Sequence, residues 1–207
     1  MRHATIALAI LVMLPLALVL PGCKGQDKSV GLRYIPSKAR HDPRSEPVII
    51  LPTIEAGAPA RKPGRKRVIG EIVHRSGVKQ ADILAAFPVD EWARDALGAE
   101  LRAAGVNTSE ADTAPAGSPA VRAAITRMES STHLRRAAGE VIANLTIEFT
   151  VLAPGGEERI TASGEGAARS SQGPLINCRD AYERAMNTLL KDAVPRILGV
   201  LGRGTNP

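Results

Sequence analysis

EVIANLTIEFTVL, residues 140–152, is the stretch on which the fold turns. Val141, Ala143, Leu145, Ile147, Phe149 and Val151 fall on one side, and Asn144, Thr146, Glu148 and Thr150 on the other. A period of two sustained this long specifies a strand with one dry and one wet face, as in an antiparallel sheet covered on one side. APGGEE, 153–158, reads as a hairpin turn, and ERITASGEGAARS, 158–170, returns as the partner strand. Its small residues, Gly164 and Gly166 among them, predict an edge or a bulge.

Working outward, Val121, Ala123 and Ile125 alternate with Arg122, Ala124 and Thr126, which predicts another strand. The polar residues 129–136 read as a turn. On the far side Asn177 is a natural cap for a helix through CRDAYERAMNTLLKDAVPRILGVL, 178–201. Tyr182, Ala185, Met186, Leu189, Ala193, Val194 and Ile197 form its apolar stripe, and Pro195 should kink or shorten it. VDEWARDALGAELRAAGVN, 89–107, is a second helix, with Asp90 as cap, acids near the positive end of the dipole and Gly105 as the stop. In it Trp92, Ala96, Leu97, either Ala99 or Glu100, and Ala103 trace the helical period.

Earlier still, PVIILPTI, 47–54, reads as a buried strand and VIGEIVH, 68–74, as a second one, joined by a loop over 57–67. Residues 76–88 are ambiguous, with a single helical turn expected over 81–86. The order strand, strand, helix, three strands, helix predicts an α+β domain: a mainly antiparallel sheet with two helices packed on one face, a two-layer sandwich.

The N-terminus points to a compartment. Residues 4–20 are aliphatic except for Thr5 and Pro15, follow the basic Arg2 and His3, and read as a secretory signal peptide; an uncleaved span is the other reading. LVLPGCKG, 18–25, closes this run, and Leu20-Pro21-Gly22-Cys23 resembles the lipobox of bacterial lipoproteins. That resemblance implies acylation of the Cys23 sulfur and cleavage before it. Several acyl chains would then hold the chain firmly at a membrane. The other reading is a secreted Cys23 paired with Cys178. With Cys23 acylated, Cys178 is left as a buried thiol or an intermolecular bridge. The organisation expected is a signal peptide over 1–22, a flexible tether over 23–46, one domain over 47–200 and a disordered tail over 201–207.

Removing residues 1–22 from the 207 leaves enough chain for one domain with a real core. Only five aromatic residues occur, which excludes a stacking platform for nucleic acid or sugar. From Cys23 to Arg75 there are 12 Lys/Arg against 5 Asp/Glu, and from Ser76 onward 14 against 16, so the positive charge belongs to the leader. It peaks in RKPGRKR, where Arg61, Lys62, Arg65, Lys66 and Arg67 are candidate contacts for anionic lipid or lipopolysaccharide phosphate; a solvated loop is the plainer alternative.

The tether, the DEWARDALGAELRAAGV helix, the long alternating strand, the GEG return strand and the DAYERAMNTLLKDAV helix together resemble the YajG-type bacterial envelope lipoproteins over about 47–198. The resemblance implies a small periplasm-facing domain anchored through Cys23. Lys24, where Asp would signal inner-membrane retention, fits the outer membrane. It names no substrate and no catalytic residue.

His41, His74 and His133 are scattered without metal-ligand spacing, so no metal and no cofactor is expected. GxSxG, HExxH and P-loop patterns do not occur, and GEG at 164–166 lacks the rest of a dinucleotide motif. The function expected is a non-catalytic binding or assembly role in the envelope, with an envelope protein partner. The alternative is an accessory subunit binding lipid or lipopolysaccharide; an envelope hydrolase is a third, minority reading.

Overall fold

The structure is a computed structural model and describes residues 27–37, 47–56, 66–74, 76–135, 138–171 and 173–203. The signal segment, Cys23, His41, Arg61, Lys62 and Arg65 lie outside these residues.

Three long strands form the spine. They are β7 (Ala120–Arg135), β8 (Ala138–Ala153) and β9 (Gly156–Ser170), an antiparallel meander in unbroken register between β8 and β9. β8 is the strand read from residues 140–152, with Val141, Leu145, Phe149 and Val151 buried. Of the stretch 129–136, expected as a turn, residues 129–135 instead continue β7, and 136 lies outside the described residues. Thr126 is an extra residue in the ladder, a bulge between Ile125 and Arg127. It shifts the inward set from Val121, Ala123 and Ile125 to Met128, Ser130 and Thr132, so the period breaks and two polar residues enter the core.

The other edge of β7 is shared by three short parallel strands. β2 (Val48–Ile50) pairs with Ala120 and Val121, β3 (Ile54–Glu55) with Ala124 and Ile125, and β4 (Val68–Val73) with residues 131–133. Residues 47–54, expected as one strand, are split because Pro52 has no N–H to give the ladder. β6 (Thr108–Glu110) adds to β2 in parallel. β5 (Lys79–Ala85) pairs antiparallel with β4, and β1 (Lys28–Val30) pairs parallel with β5. The sheet is therefore mixed, which corrects the expectation of a mainly antiparallel one. The helical turn expected over 81–86 is strand as far as Ala85, its burial alternating through Ala81, Ile83 and Ala85.

Both predicted helices form, the first ending short of residue 107 and the second extending past its predicted bounds at both ends. α1 (Val89–Ala103) begins at Pro88, with Asp90 and Glu91 in its first turn rather than at the cap, and stops before Gly105 at φ 88°. α2 (Pro174–Arg203) starts before Asn177 and passes through Pro195 into the residues expected to be a tail. Its whole predicted stripe is buried. Asn177 is no cap: its amide donates to the Gly139 carbonyl at 2.7 Å and ties α2 to β8. Trp92 of α1 meets Tyr182 of α2 edge to face, centroids 6.5 Å apart.

α2 lies along β8 and β9. Gly164 and Gly166 make no bulge; a Cβ there would stand 1.9 Å from the Ala185 carbonyl oxygen and 2.0 Å from that of Ala181. The glycines let the helix backbone ride directly on the strand. Among the described residues β9 pairs only with β8 and so is an edge, and Arg184 and Arg196 of α2 donate to its Ala167 and Thr161 carbonyls. Such capping blunts an edge against strand addition.

Finally, residues 27–37, expected within the tether, belong to the domain. Besides the β1 pairing, Arg33 bonds Glu183, and the Tyr34 hydroxyl and Ser37 N–H both donate to one oxygen of Glu100 at 2.6 and 2.9 Å.

Candidate functional site

A cleft of about 370 Å³ opens where β4 and β7 part, lined among others by Val68, Gly70, Glu71, Asp82, Ser130 and Asn144. It exists because β4 is irregular. Its register with β5 shifts between Val68 and Gly70, and its pairing with β7 begins only at Glu71. The Ile69 carbonyl is thereby turned inward. Two hydroxyls meet it: Ser130 Oγ donates at 3.1 Å, and Tyr182 OH donates from α2. Gly70 keeps the gap narrow, since a Cβ there would stand 1.9 Å from Ser130 Oγ.

Cys178 Sγ lies 3.7 Å from Ser130 Oγ and is a free, fully buried thiol. Burial pushes its thiol up to about 11, only partly opposed by Ser130, so no thiolate is available near neutral pH. Burial, with the nearby Cys178 adding to it, also raises the Tyr182 phenol. These groups hold α2 to the sheet. Ser130 lines the cleft with its hydroxyl bonded to the Ile69 carbonyl, and Cys178 lies buried behind it.

The cleft mouth is charged. Lys79 Nζ sits 2.6 Å from Asp82 and 3.8 Å from Glu71, and its hydrogen bond to Asp82 raises its pKa. Glu129 is taken by Arg127. Among the described residues no group of three or more His, Cys, Asp or Glu side chains is placed to hold a metal ion.

A second groove, about 470 Å³, runs between the end of α1 and the last turns of α2, with Glu100, Ala103, Ala104, Leu190, Val194 and Leu198 in its walls. Glu100 is buried, which favours its neutral form, yet the Ser37 and Tyr34 bonds outweigh that and hold its carboxyl below the usual range. Burial first, then the bond to Glu100, raises the Tyr34 phenol. Glu100 was one of two candidates for an apolar position in the helix period. A carboxylate there signals a buried partner, and that partner is the N-terminal segment.

The basic run divides. Lys66 is exposed, with Nζ 3.0 Å from Ser29 Oγ of β1. Arg67 is drawn in, its guanidinium 2.7 Å from Glu55 and its side chain only 18 % exposed. Arg61, Lys62 and Arg65 lie in the segment not described. His74 is exposed in the β4–β5 turn, bonded to Ser76, and His133 lies in β7.

No family model and no curated protein matches the sequence. Among solved structures the chain is similar to protein XCC0632 from Xanthomonas campestris, described under the family model DUF330. The match has a TM-score of 0.53 at 12 % identity and covers 86 % of this chain and 96 % of that one. The shared feature is the fold alone. A second structure, described only as an uncharacterized protein, reaches a TM-score of 0.42 at 12 % identity over 86 % of this chain and 98 % of that one, too little to add to the assignment. Among the described residues no helix is long and apolar enough to cross a membrane.

Proposed function

We propose that this chain is a lipoprotein of the bacterial envelope, acylated on Cys23, whose domain faces the periplasm and serves a non-catalytic binding or assembly role with an envelope protein partner. The outer membrane is the proposed location, on the strength of Lys24. The observation that carries the reading is LPGC at 20–23, after an apolar run and a few residues before the first strand of the domain. The pattern resembling YajG-type lipoproteins supports it, as does a buried set of hydroxyl and thiol groups occupied in holding α2 in place. The test is the intact mass of the protein from the membrane fraction beside a Cys23→Ser control. A mass beginning at Cys23 plus acyl chains, lost in the control, is expected; an unmodified Cys23 sinks the reading.

A second reading, an accessory subunit that binds anionic lipid or lipopolysaccharide, draws on the exposed Lys66 beside β1. Arg67 contributes less to it, being paired with Glu55. Replacing Arg61, Lys62, Arg65 and Lys66 with Ser should weaken binding to anionic vesicles at low salt, and unchanged binding counts against it.

A further inference from the structure

Residues 27–37 lie over the domain as a strap. The short strand β1 pairs along β5, Val30 is buried, and Leu32 and Tyr34 pack partly buried against the core. The rest of the hold is polar, and most of it ends on carboxylates. Asp27 accepts the Asp82 N–H at 3.3 Å, Arg33 donates to Glu183 of α2 at 3.2 Å, and Tyr34 and Ser37 share one oxygen of Glu100 on α1. The bond from Lys66 to Ser29 Oγ differs in having no carboxylate.

The helices are tied to the sheet differently. Asn177, Arg184 and Arg196 of α2 donate to the Gly139, Ala167 and Thr161 carbonyls, and Tyr182 donates to that of Ile69. On α1, Arg94 donates to the Ile50 and Ala111 carbonyls and Arg102 to the Thr108 hydroxyl. None of these acceptors titrates in the carboxylate range. Arg94 also reaches Glu110 at 3.5 Å, but its carbonyl bonds survive the loss of that charge. The Arg67–Glu55 pair joins segments that the ladders of β3 and β4 with β7 also hold. Acid therefore removes the strap's bonds and spares those of the helices. The surrounding charges act in the same direction. Lys28 and Arg33 belong to the strap. Around its carboxylates the body carries Lys79, within Coulombic range of Asp27, and Lys191, in one groove wall with Glu100. Arg184 follows Glu183 on α2, and Arg179, one turn before it, is paired with Asp180. With the carboxylates neutral, strap and body are left with like charges.

We propose that residues 27–37 are an acid-released strap: protonation of Asp27, Glu100 and Glu183 detaches them while the rest of the domain stays folded. Release uncovers the outer edge of β5 and the Ser37 end of the apolar groove between α1 and α2. The sign follows from Glu100. Burial favours its neutral form, but the Ser37 and Tyr34 bonds outweigh that and hold the carboxyl below its usual range. The docked strap thus binds fewer protons than the released one, so docking is complete above the carboxylate range and weakens as pH falls through the docked value. The device stands apart from the lipoprotein reading and works with Cys23 acylated or free.

The test is hydrogen exchange on the full-length protein in mild detergent, read by mass spectrometry as protection factors so that the intrinsic pH dependence of exchange cancels. Between about pH 7 and about pH 4, protection in peptides covering 28–37 should fall at least about tenfold and recover on neutralisation, while peptides of β8 keep theirs. Glu100→Gln should show most of that loss already at about pH 7, and Arg33→Gln part of it. Arg33 is 55 % exposed, so its replacement leaves the fold intact and the test decisive if Glu100→Gln does not fold. Strap protection that persists until β8 loses its own overturns the proposal. So does loss of both in one step, or a strap as protected in the folded variants as in the parent at neutral pH.

Discussion

Replacing Gly164 with alanine should destabilise the domain, although a glycine-to-alanine change ordinarily stabilises by ~0.4–1 kcal/mol through the unfolded chain where the native backbone accepts it. The added Cβ would lie 1.9 Å from the Ala185 carbonyl oxygen and 2.9 Å from the Leu189 nitrogen. Both are helix backbone atoms and cannot rotate away. Relief requires α2 to lift from β9 by more than ~1 Å, since uncrowded heavy-atom contacts sit near ~3.5 Å. Such overpacking costs ~1–3 kcal/mol, occasionally more, and here the upper end applies because the helix is bonded to the sheet at several other points. A net loss of about 2–3 kcal/mol follows, which for a domain of this size lowers Tm by roughly 4–12 °C. Thermal and urea unfolding followed by circular dichroism on the Cys23→Ser protein would read it. Gly155→Ala is the control: nothing lies within 4 Å of its Cβ position, so stability should stay within ~0.5 kcal/mol. A Gly164→Ala protein as stable as its parent would refute the close approach of α2 to β9.

Three further outcomes are expected. Ser130→Ala and Tyr182→Phe should each cost ~1 kcal/mol, and the double variant more than their sum by ~1–3 kcal/mol, because only then is the buried Ile69 carbonyl left without a donor; additive losses in urea melts would count against the shared acceptor. Glu100→Gln should cost ~1.5–3 kcal/mol near neutral pH. The Glu100 carboxyl is held below its usual value, so its stabilisation is fully present above the unfolded carboxylate range and drains away as pH falls through the folded value. The Tm gap between parent and variant should therefore be flat above about pH 5 and close below about pH 4, and a gap that widens in acid would reverse the sign of the reasoning. Cys178 should ignore a thiol reagent in the native protein and react at once in denaturant, with its native pH profile rising only toward 11; rapid native labelling at neutral pH would contradict its burial.

The elements legible in the sequence are those whose apolar period is long and self-sufficient. β8 and the stripe of α2 answer to that description, and their inward sets are the buried sets. β7 is legible only in its first half, because one inserted residue at Thr126 shifts the phase, so an even and an odd alternation meet in one strand and look like a strand and a turn. β1, β3 and β6 have two or three residues each, too few to carry any period; they exist because longer strands offer them an edge. The small-residue pattern of 162–168 was visible, but its meaning depended on α2, a partner some twenty residues away in sequence. The buried hydroxyls around Ile69 were equally out of reach, since a backbone carbonyl turned inward by a bulge leaves no mark in the residue types.

Sheet direction shows the same division between local and long-range causes. Antiparallel pairing between β8 and β9 follows from a short turn, and local sequence reports it. The parallel pairs of β2, β3 and β4 with β7 join segments separated by α1 or a long loop, so nothing nearby in sequence fixes their direction. Residues 28–37 are the extreme case. Their apolar alternation is only Val30, Leu32 and Tyr34, too short to stand out from the polar residues around it, and they become part of the domain through partners on β5, α1 and α2. Glu100 shows how that happens. A carboxylate in an otherwise apolar helix face would be costly to bury alone, and the N-terminal segment supplies the two donors that make its burial favourable.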